Sequence, residues 1–269
     1  MNTKEKLLWT AIVIVLGGVG YLSYRYLTQT AEAPPAAPAE TAAPPRTQEP
    51  AVENRPTSPD TADTADTGGP LPALAESDGE FATALAQLVG ADKVGAQLVR
   101  ENVIRNIVVT VDNLPRQKLT VERRPAKPTP GEAVTEGDAD LGEVTTLSVQ
   151  NYARYVPFVT AVQTADGKRL AALYFHWYPL FQKAYEDLGY PEKQFNDRLL
   201  FAIDDMLKAP EVQGPVRLVR PRVFFEYADP ALESRSAGQK LLIRMGPENA
   251  AHLKAKLREL RAEVANYKR

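Results

Sequence analysis

The sequence predicts a mainly α-helical protein with one N-terminal transmembrane helix, a disordered linker rich in proline, alanine and threonine, and a helical domain with a minor β element. Three observations lead to this prediction. An uncharged apolar run lies near the start, ten prolines follow it between residues 28 and 72, and apolar residues then recur at helical spacing. The N-terminus, span, linker and domain are predicted at residues 1–6, 7–27, 28–72 and 73–269.

Composition and charge exclude several classes of protein. From Leu71 onward the chain carries 27 basic and 26 acidic residues, so the domain has no basic excess of the kind that binds nucleic acid. There is no cysteine, which excludes disulfides, thiol catalysis and cysteine-ligated zinc. We therefore expect no nucleic-acid partner, and the sequence indicates no cofactor and no metal site.

The apolar run from Leu7 to Tyr24 contains no charge. Together with residues 25–27 it reaches the ~20 helical residues that cross a ~30 Å hydrocarbon core. Lys4 and Lys6 precede the run, and Arg25 is the only basic residue directly after it. The positive-inside rule then predicts an inner-membrane protein with a cytoplasmic N-terminus and a periplasmic domain.

A cleaved signal peptide is the main alternative to an uncleaved anchor. The segment Ala31-Glu32-Ala33 resembles a cleavage site, but Pro34 would follow it directly, which disfavours cleavage. The linker at 28–72 lacks aromatic residues and cannot bury enough apolar surface to become ordered. A flexible chain of this length reaches ~35–40 Å, so the domain is expected to stay near the membrane without pressing on it.

Helical periodicity dominates the remainder. Ser77 and Glu80 form a capping-box pattern that predicts a helix start, and Pro179 is expected to kink a long aromatic helix. The last helix shows a short heptad seam, which favours docking on the protein's own core over a coiled coil. The predicted helices are centred on residues 81–89, 94–114, 148–165, 170–188, 195–206, 236–242 and 250–267. In the second of these, the Val-Val-Thr-Val run at 108–111 also permits a strand.

Two segments are predicted to be extended, and between them lies a loop. Lys118 to Arg124 alternates weakly, and Val216 to Tyr227 is rich in Val, Phe and Arg. Prolines, Gly131 and four acidic residues from Glu136 to Glu143 are typical of a surface loop. The extended segments supply the minor β element of the predicted fold.

Polar residues that could support chemistry are few. His176 lies in an aromatic helix, where a partly buried core histidine is the ordinary interpretation. Asp204 and Asp205 are adjacent on a helix and diverge by ~100°, so we expect Asp204 to pair with Lys208 and Asp205 to be solvated. No catalytic residue is predicted. The candidate binding residues are Phe195, Asn196, Asp197, Arg198, Arg217, Arg220 and Arg222.

Several segments together resemble one bacterial family. They include Tyr178–Gln182, Leu188–Pro191, Phe195–Leu199, Ala228–Pro230, Ser236–Lys240, Arg244–Ala250 and Lys254–Leu260. This run of segments, spread over roughly 71–260, is similar to the domain-of-unknown-function 3014 family of Gram-negative bacteria. The resemblance implies a membrane span, a Pro/Ala-rich linker and one domain, and it implies no activity.

We expect a single-pass inner-membrane protein whose periplasmic domain serves as a binding module in the cell envelope. The partner would be another envelope protein or peptidoglycan, and the oligomeric state stays open. One alternative is a membrane-tethered enzyme that uses His176, Asp197, Arg198 and Asp205. Another is recognition of peptidoglycan or anionic lipid by the arginines between residues 217 and 222, although a solvated strand edge also explains them.

Overall fold

The computed structural model describes residues 70–92, 94, 98–119, 123–129, 131–137, 142–222 and 224–267. The predicted N-terminus and span and nearly all of the predicted linker lie outside these ranges. Within them, no helix combines the length and the apolar character that crossing a bilayer requires.

Helices form most of the described chain. They are α1 (Asp78–Val89), α2 (Val103–Asn113), α3 (Val149–Ala153), α4 (Val156–Thr164), α5 (Gly167–Asp187), α6 (Phe195–Leu207), α7 (Pro230–Glu233), α8 (Ala237–Met245) and α9 (Pro247–Ala265). The predicted helical domain with a minor β element is therefore confirmed.

Four short strands form one antiparallel sheet in the order β1-β2-β3-β4. They are β1 (Thr135–Glu136), β2 (Val144–Leu147), β3 (Arg217–Val219) and β4 (Glu226–Tyr227). The strands predicted between residues 216 and 227 are confirmed, whereas β1 and the start of β2 occupy the segment predicted as a loop. The other predicted strand, at 118–124, lies partly outside the described residues.

The main core lies where α2, α5, α6 and α9 pack together, with α1, α4 and α8 against them. The aromatic stripe of α5 supplies much of this core, and its Phe181 stacks on Phe195 of α6 with ring centroids 5.7 Å apart. A second, smaller core joins the sheet to α8 through Leu147, Leu218, Tyr227 and Ile243. The domain thus has a helical body and a small sheet attached to its side.

Helix α5 runs without interruption from Gly167 to Asp187 and includes Pro179. Pro179 is exposed, so its ring faces solvent and not a neighbouring helix. The side chain of Asp166 accepts a hydrogen bond from the Arg169 amide at 2.9 Å and caps the helix start. This long helix positions residues on both the core side and the outer side of the domain.

The capping box predicted for α1 is wrong. Ser77 has helical dihedral angles and makes no cap, and its hydroxyl donates to the Leu74 carbonyl at 2.9 Å. Asp78 instead accepts from the backbone amides of Asn102 and Val103 at 2.7 and 2.8 Å, so it caps the distant helix α2. The predicted second helix also begins later than expected, because Asn102 adopts a left-handed conformation before Val103.

Helix α9 docks on the domain's own core, as its heptad seam predicted. Leu253 and Leu257 are buried there, together with the two amines of Lys254 and Lys256. Lys254 Nζ donates to the Ala209 carbonyl at 2.6 Å, just beyond the end of α6. Lys256 Nζ donates to Ala165, just beyond α4, at 2.8 Å. Both ammonium groups thus satisfy carbonyls at helix C-termini, where the helix dipole also favours positive charge.

Candidate functional site

The candidate segment from Phe195 to Arg198 forms the first turn of α6. Phe195 is 1% exposed and belongs to the main core. Asn196 is buried and accepts a hydrogen bond from the Tyr174 hydroxyl at 3.1 Å. These two positions join α5 to α6, so their contacts are accounted for by the packing of the domain.

Arg198 reaches α2 and pairs with a buried carboxylate. Its Nη2 donates to the backbone carbonyl of Asp112 at 2.5 Å, and its Nε lies 3.0 Å from Asp112 Oδ1. Arg116 Nη2 approaches Asp112 Oδ2 at 2.6 Å and also donates to the Tyr190 hydroxyl at 2.8 Å. The Asp112 side chain is 6% exposed, so two guanidinium groups neutralise a charge that burial alone would make costly.

Both predictions for the paired aspartates of α6 are wrong. Asp204 forms a bidentate ion pair with Arg261 of α9, at 2.5 and 2.9 Å, and not with Lys208. Asp205 accepts from the Ser236 hydroxyl at 2.5 Å and from Gln239 Nε2 at 3.0 Å. Tertiary packing places the start of α8 against α6, and a prediction from spacing along one helix has no access to that neighbour.

Helix α8 begins against the end of α2 as well. The amides of Ala237 and Gly238 donate to the carbonyls of Arg116 and Leu114 at 2.6 and 2.9 Å, so the first amides of α8 pair with carbonyls just beyond the end of α2. A Cβ at Gly238 would lie 2.7 Å from Met206 Cγ. The polar side chains that join α2, α6 and α8 are called the polar cluster below. They are those of Asp112, Arg116, Arg198, Asp205, Ser236 and Gln239.

Glycine is also required where α8 turns into α9. Gly246 has a φ of 85°, and a Cβ there would lie 2.5 Å from the ring of Tyr152. Asn249 Nδ2 donates to the Tyr152 carbonyl at 2.9 Å and so holds α3 at the same turn. At this turn between α8 and α9, helix α3 therefore approaches the backbone closely.

The three candidate arginines lie at the sheet. Arg217 is exposed on β3, and Arg222 is exposed just beyond it. Arg220 is half-buried, and its guanidinium lies 5.7 Å from the centroid of the Phe225 ring. Exposed Glu226 sits on β4, opposite Val219 of the same pair of strands. Strands β3 and β4 thus carry charges of both signs.

An open groove of about 640 Å³ lies between α1 and α5 on the outer side of the helical body. Each helix contributes residues at spacings of three and four, which form one stripe along its surface. From α1 these are Glu80, Thr83, Ala84, Gln87 and Leu88, and from α5 they are Arg169, Ala172, Leu173, His176 and Trp177. Pro70 and Leu71 also line the groove, where the predicted linker leads into the domain.

Behind this groove, an apolar cavity of about 140 Å³ lies inside the helical body. Its walls come from α1, α2, α4, α5, α6 and α9, and Leu173 borders both the cavity and the groove.

Tyr174 is the polar side chain that borders this cavity. Its ring keeps some accessible surface because it faces the empty space, whereas its hydroxyl is enclosed by protein and bonded to Asn196. Burial of the phenol, together with the nearby Tyr178 and Asp197, raises the pKa of Tyr174 well above its usual value. The hydroxyl therefore stays protonated at neutral pH.

The structure separates the residues that the sequence put forward. His176 lines the groove, whereas Arg198 and Asp205 belong to the polar cluster. The other groove residues were not predicted as a site, although Glu80, Thr83 and Gln87 form a polar stripe with a readable helical spacing. The sequence could not show that this stripe faces α5.

The comparison with known proteins gives one family. A family model described as "Protein of unknown function (DUF3014)" matches residues 103–261, from the start of α2 into α9, which is more than half of the chain. No curated protein and no solved structure matches. The matched part contains the polar cluster and most of the cavity wall, whereas α1 precedes it. The chain therefore belongs to the DUF3014 family of proteins of unknown function.

Proposed function

We propose that this protein is a membrane-tethered binding module of the cell envelope, whose α1–α5 groove receives an amphipathic helix of another envelope protein. The groove carries this proposal. Its volume of about 640 Å³ falls within the ~300–1,000 Å³ that is typical of binding pockets.

The form of the groove favours a helical occupant. Each wall is a stripe of five residues spanning nine positions, from residue 80 to 88 and from 169 to 177. At 1.5 Å per residue, such a stripe is about 12 Å long, which is about two helical turns. Proteins bind amphipathic helices in such grooves through apolar anchors spaced at three, four and seven residues.

Charge further restricts the partner. Glu80 lies on the α1 wall and Arg169 on the α5 wall, and both are exposed. Leu88, Leu173 and Trp177 supply apolar surface between and beneath these charges. The expected partner helix has an apolar stripe flanked by a basic residue on the side of Glu80 and an acidic residue on the side of Arg169.

The enzyme alternative has weaker support. It needs His176, Asp197, Arg198 and Asp205 in one cleft, because acid–base catalysis requires groups within hydrogen-bond reach of one substrate. Arg198 is occupied by Asp112, and Asp205 by Ser236 and Gln239, whereas His176 borders the groove on another helix. We therefore retain binding as the proposed activity.

The tether rests on the sequence. The uncharged run at residues 7–24 and the basic residues before it support a single span with the domain in the periplasm. Pro70 and Leu71 line the groove, so the predicted linker joins the domain at the groove itself. A partner held in the same membrane would meet the groove at high effective concentration.

Photo-crosslinking in cells tests the groove. A photoreactive phenylalanine analogue at Thr83, which is exposed in the groove, should attach to one partner protein in the full-length chain. The same analogue at Val149, which is 70% exposed on α3, is the control and should not capture that partner. Peptide mapping should find an amphipathic helix at the attachment site.

A blocking substitution and a pair of charge reversals make this test specific. Ala172→Glu should abolish capture at Thr83, because it places a carboxylate among the apolar anchors. Reversal of both Glu80→Arg and Arg169→Glu should weaken capture, and matching reversals in the partner helix should restore it. Capture that survives Ala172→Glu, or that is equal at Val149, would refute a site in the groove.

Topology is tested separately. Alkaline phosphatase, which is active only outside the cytoplasm, should be active when fused after Arg269, and the mature chain should retain its N-terminal residues. Activity of a cytosolic reporter at the same fusion point would overturn the membrane topology and leave the groove result standing.

A further inference from the structure

The apolar cavity behind the groove is the second feature of this domain that has the form of a binding site. We propose that it binds the aliphatic end of a single-chain amphiphile, with the polar end of the ligand lying in the groove. This proposal rests on the cavity and on Leu173, and it does not depend on the proposed protein partner.

The cavity wall favours an apolar ligand over water. A buried water needs two to four polar partners, and among the described residues of the wall Tyr174 is the one with a polar side chain. Its hydroxyl already donates to Asn196 at 3.1 Å. Apolar cavities of about 150 Å³ stay dry and bind molecules such as benzene or xenon, so the 140 Å³ here suits an apolar group of similar size.

Small side chains keep this space open. Ala171 of α5 and Ala202 of α6 are 2% and 1% exposed, and both line the cavity. A longer aliphatic residue at either position would extend into the space. The surrounding wall is made of bulky side chains from several helices, which restricts the collapse that would close a vacancy in the core.

Leu173 provides the connection to the surface. It is half-buried and borders both the cavity and the groove, so its side chain belongs to the walls of both spaces. Rotamer changes of such a side chain would admit a chain end from the groove. The polar end of the ligand would then lie in the groove, whose polar side chains include Glu80, Arg169 and His176.

Thermal unfolding of the full-length chain in lipid nanodiscs tests this site with two probes. Benzene tests the cavity alone, and n-octanol tests whether a chain with a polar end reaches it from the groove. Either ligand at tenfold above its Kd should raise the Tm by about 3–6 °C. A shift with benzene alone would refute the amphiphile and leave a closed cavity for small apolar molecules.

Substitutions that fill the cavity make the result specific. Ala202→Leu should abolish the shift with both probes, and the milder Ala171→Val serves as a second filling variant if Ala202→Leu fails to fold. Ala184→Val is the matched control, because Ala184 is 4% exposed on α5 but does not line the cavity. The proposal fails if neither probe raises the Tm, or if the filled and control variants keep the same shift.

Discussion

The polar cluster buries charged side chains in ion pairs, whereas the α1–α5 groove leaves similar side chains exposed. In the polar cluster, Asp112 is 6% exposed in its side chain and is held by Arg116 and Arg198. In the groove, Glu80 and Arg169 are exposed on separate helices. The first set joins α2, α6 and α8 to one another, whereas the second lines an open surface.

This difference separates polar residues that hold the helices together from polar residues that remain available at the surface. The family resemblance depended heavily on segments such as Phe195–Leu199 and Ser236–Lys240, and the structure shows that these segments hold helices together. The groove draws one of its walls from α1, which precedes the part that the family model matches. The segments that carry the family resemblance are therefore explained first by the packing of the helices.

Removal of one partner from the polar cluster should have the largest effect on stability. Arg198→Met leaves the buried Asp112 with Arg116 alone, and the free energy of unfolding should fall by about 3 kcal/mol or more. Arg105→Met is the control, because Arg105 lies 3.8 Å from Asp187 and both side chains are about one-third exposed. It should cost no more than about 0.5 kcal/mol. Denaturant unfolding measures the loss in the free energy of unfolding for each variant. Equal losses would contradict the distinction between the buried and the exposed ion pair.

The same glycine substitution should act in opposite directions in the two regions. Gly238→Ala places a Cβ 2.7 Å from Met206 Cγ beside the polar cluster, and overpacking should destabilise the protein by about 1–2 kcal/mol. Gly79→Ala lies in α1 at the groove, where a Cβ meets nothing within 4 Å. Alanine favours the helix there, so stability should rise by about 0.5 kcal/mol. A loss of stability in both variants would show that the groove wall is also tightly packed.

Tyr174, at the cavity behind the groove, should make stability depend on alkaline pH. Burial raises the pKa of its phenol, so its contribution is complete below the unfolded pKa of about 10 and is lost as the pH rises through the folded value. Tyr174→Phe should cost about 1 kcal/mol at pH 7, because Asn196 loses its donor.

The variant should then lose stability less steeply than the wild type above pH 10. Unfolding curves recorded from pH 8 to 11 measure this convergence. Tyr227, whose pKa is also raised by burial, remains in the variant, so some alkaline dependence should persist. Parallel curves would show that Tyr174 does not titrate on unfolding in this range.

A surface change in the groove should have the smallest effect on stability. Ala172→Glu lies at an exposed position of α5 and should alter the free energy of unfolding by less than about 0.5 kcal/mol. The same variant should lose the crosslinked partner. Thermal unfolding and crosslinking of one preparation separate the two outcomes, and a large drop in Tm would assign Ala172 a structural role instead.

Local patterns predicted much of the fold. The long aromatic helix α5, the helix predicted at 236–242 and the Val-rich strands at 216–227 are features of neighbouring residues, and each was confirmed. The predictions were wrong where a side chain bonds to a residue that is far away in the sequence. Asp78 caps α2 across 24 residues, and Asp204 pairs with Arg261 across 57. Hydrogen bonds between distant segments leave no periodic signal along the chain.

The candidate sites likewise divide into features that the sequence predicted and features that only the tertiary structure decided. Residue type and spacing already showed a mainly helical domain without a catalytic motif, because helical periodicity and motif spacing are properties of short segments. The burial of Arg198, the opening between α1 and α5 and the space beside Ala171 and Ala202 arise from how helices approach one another. That approach depends on the combined shape of side chains from many segments, which no single segment encodes.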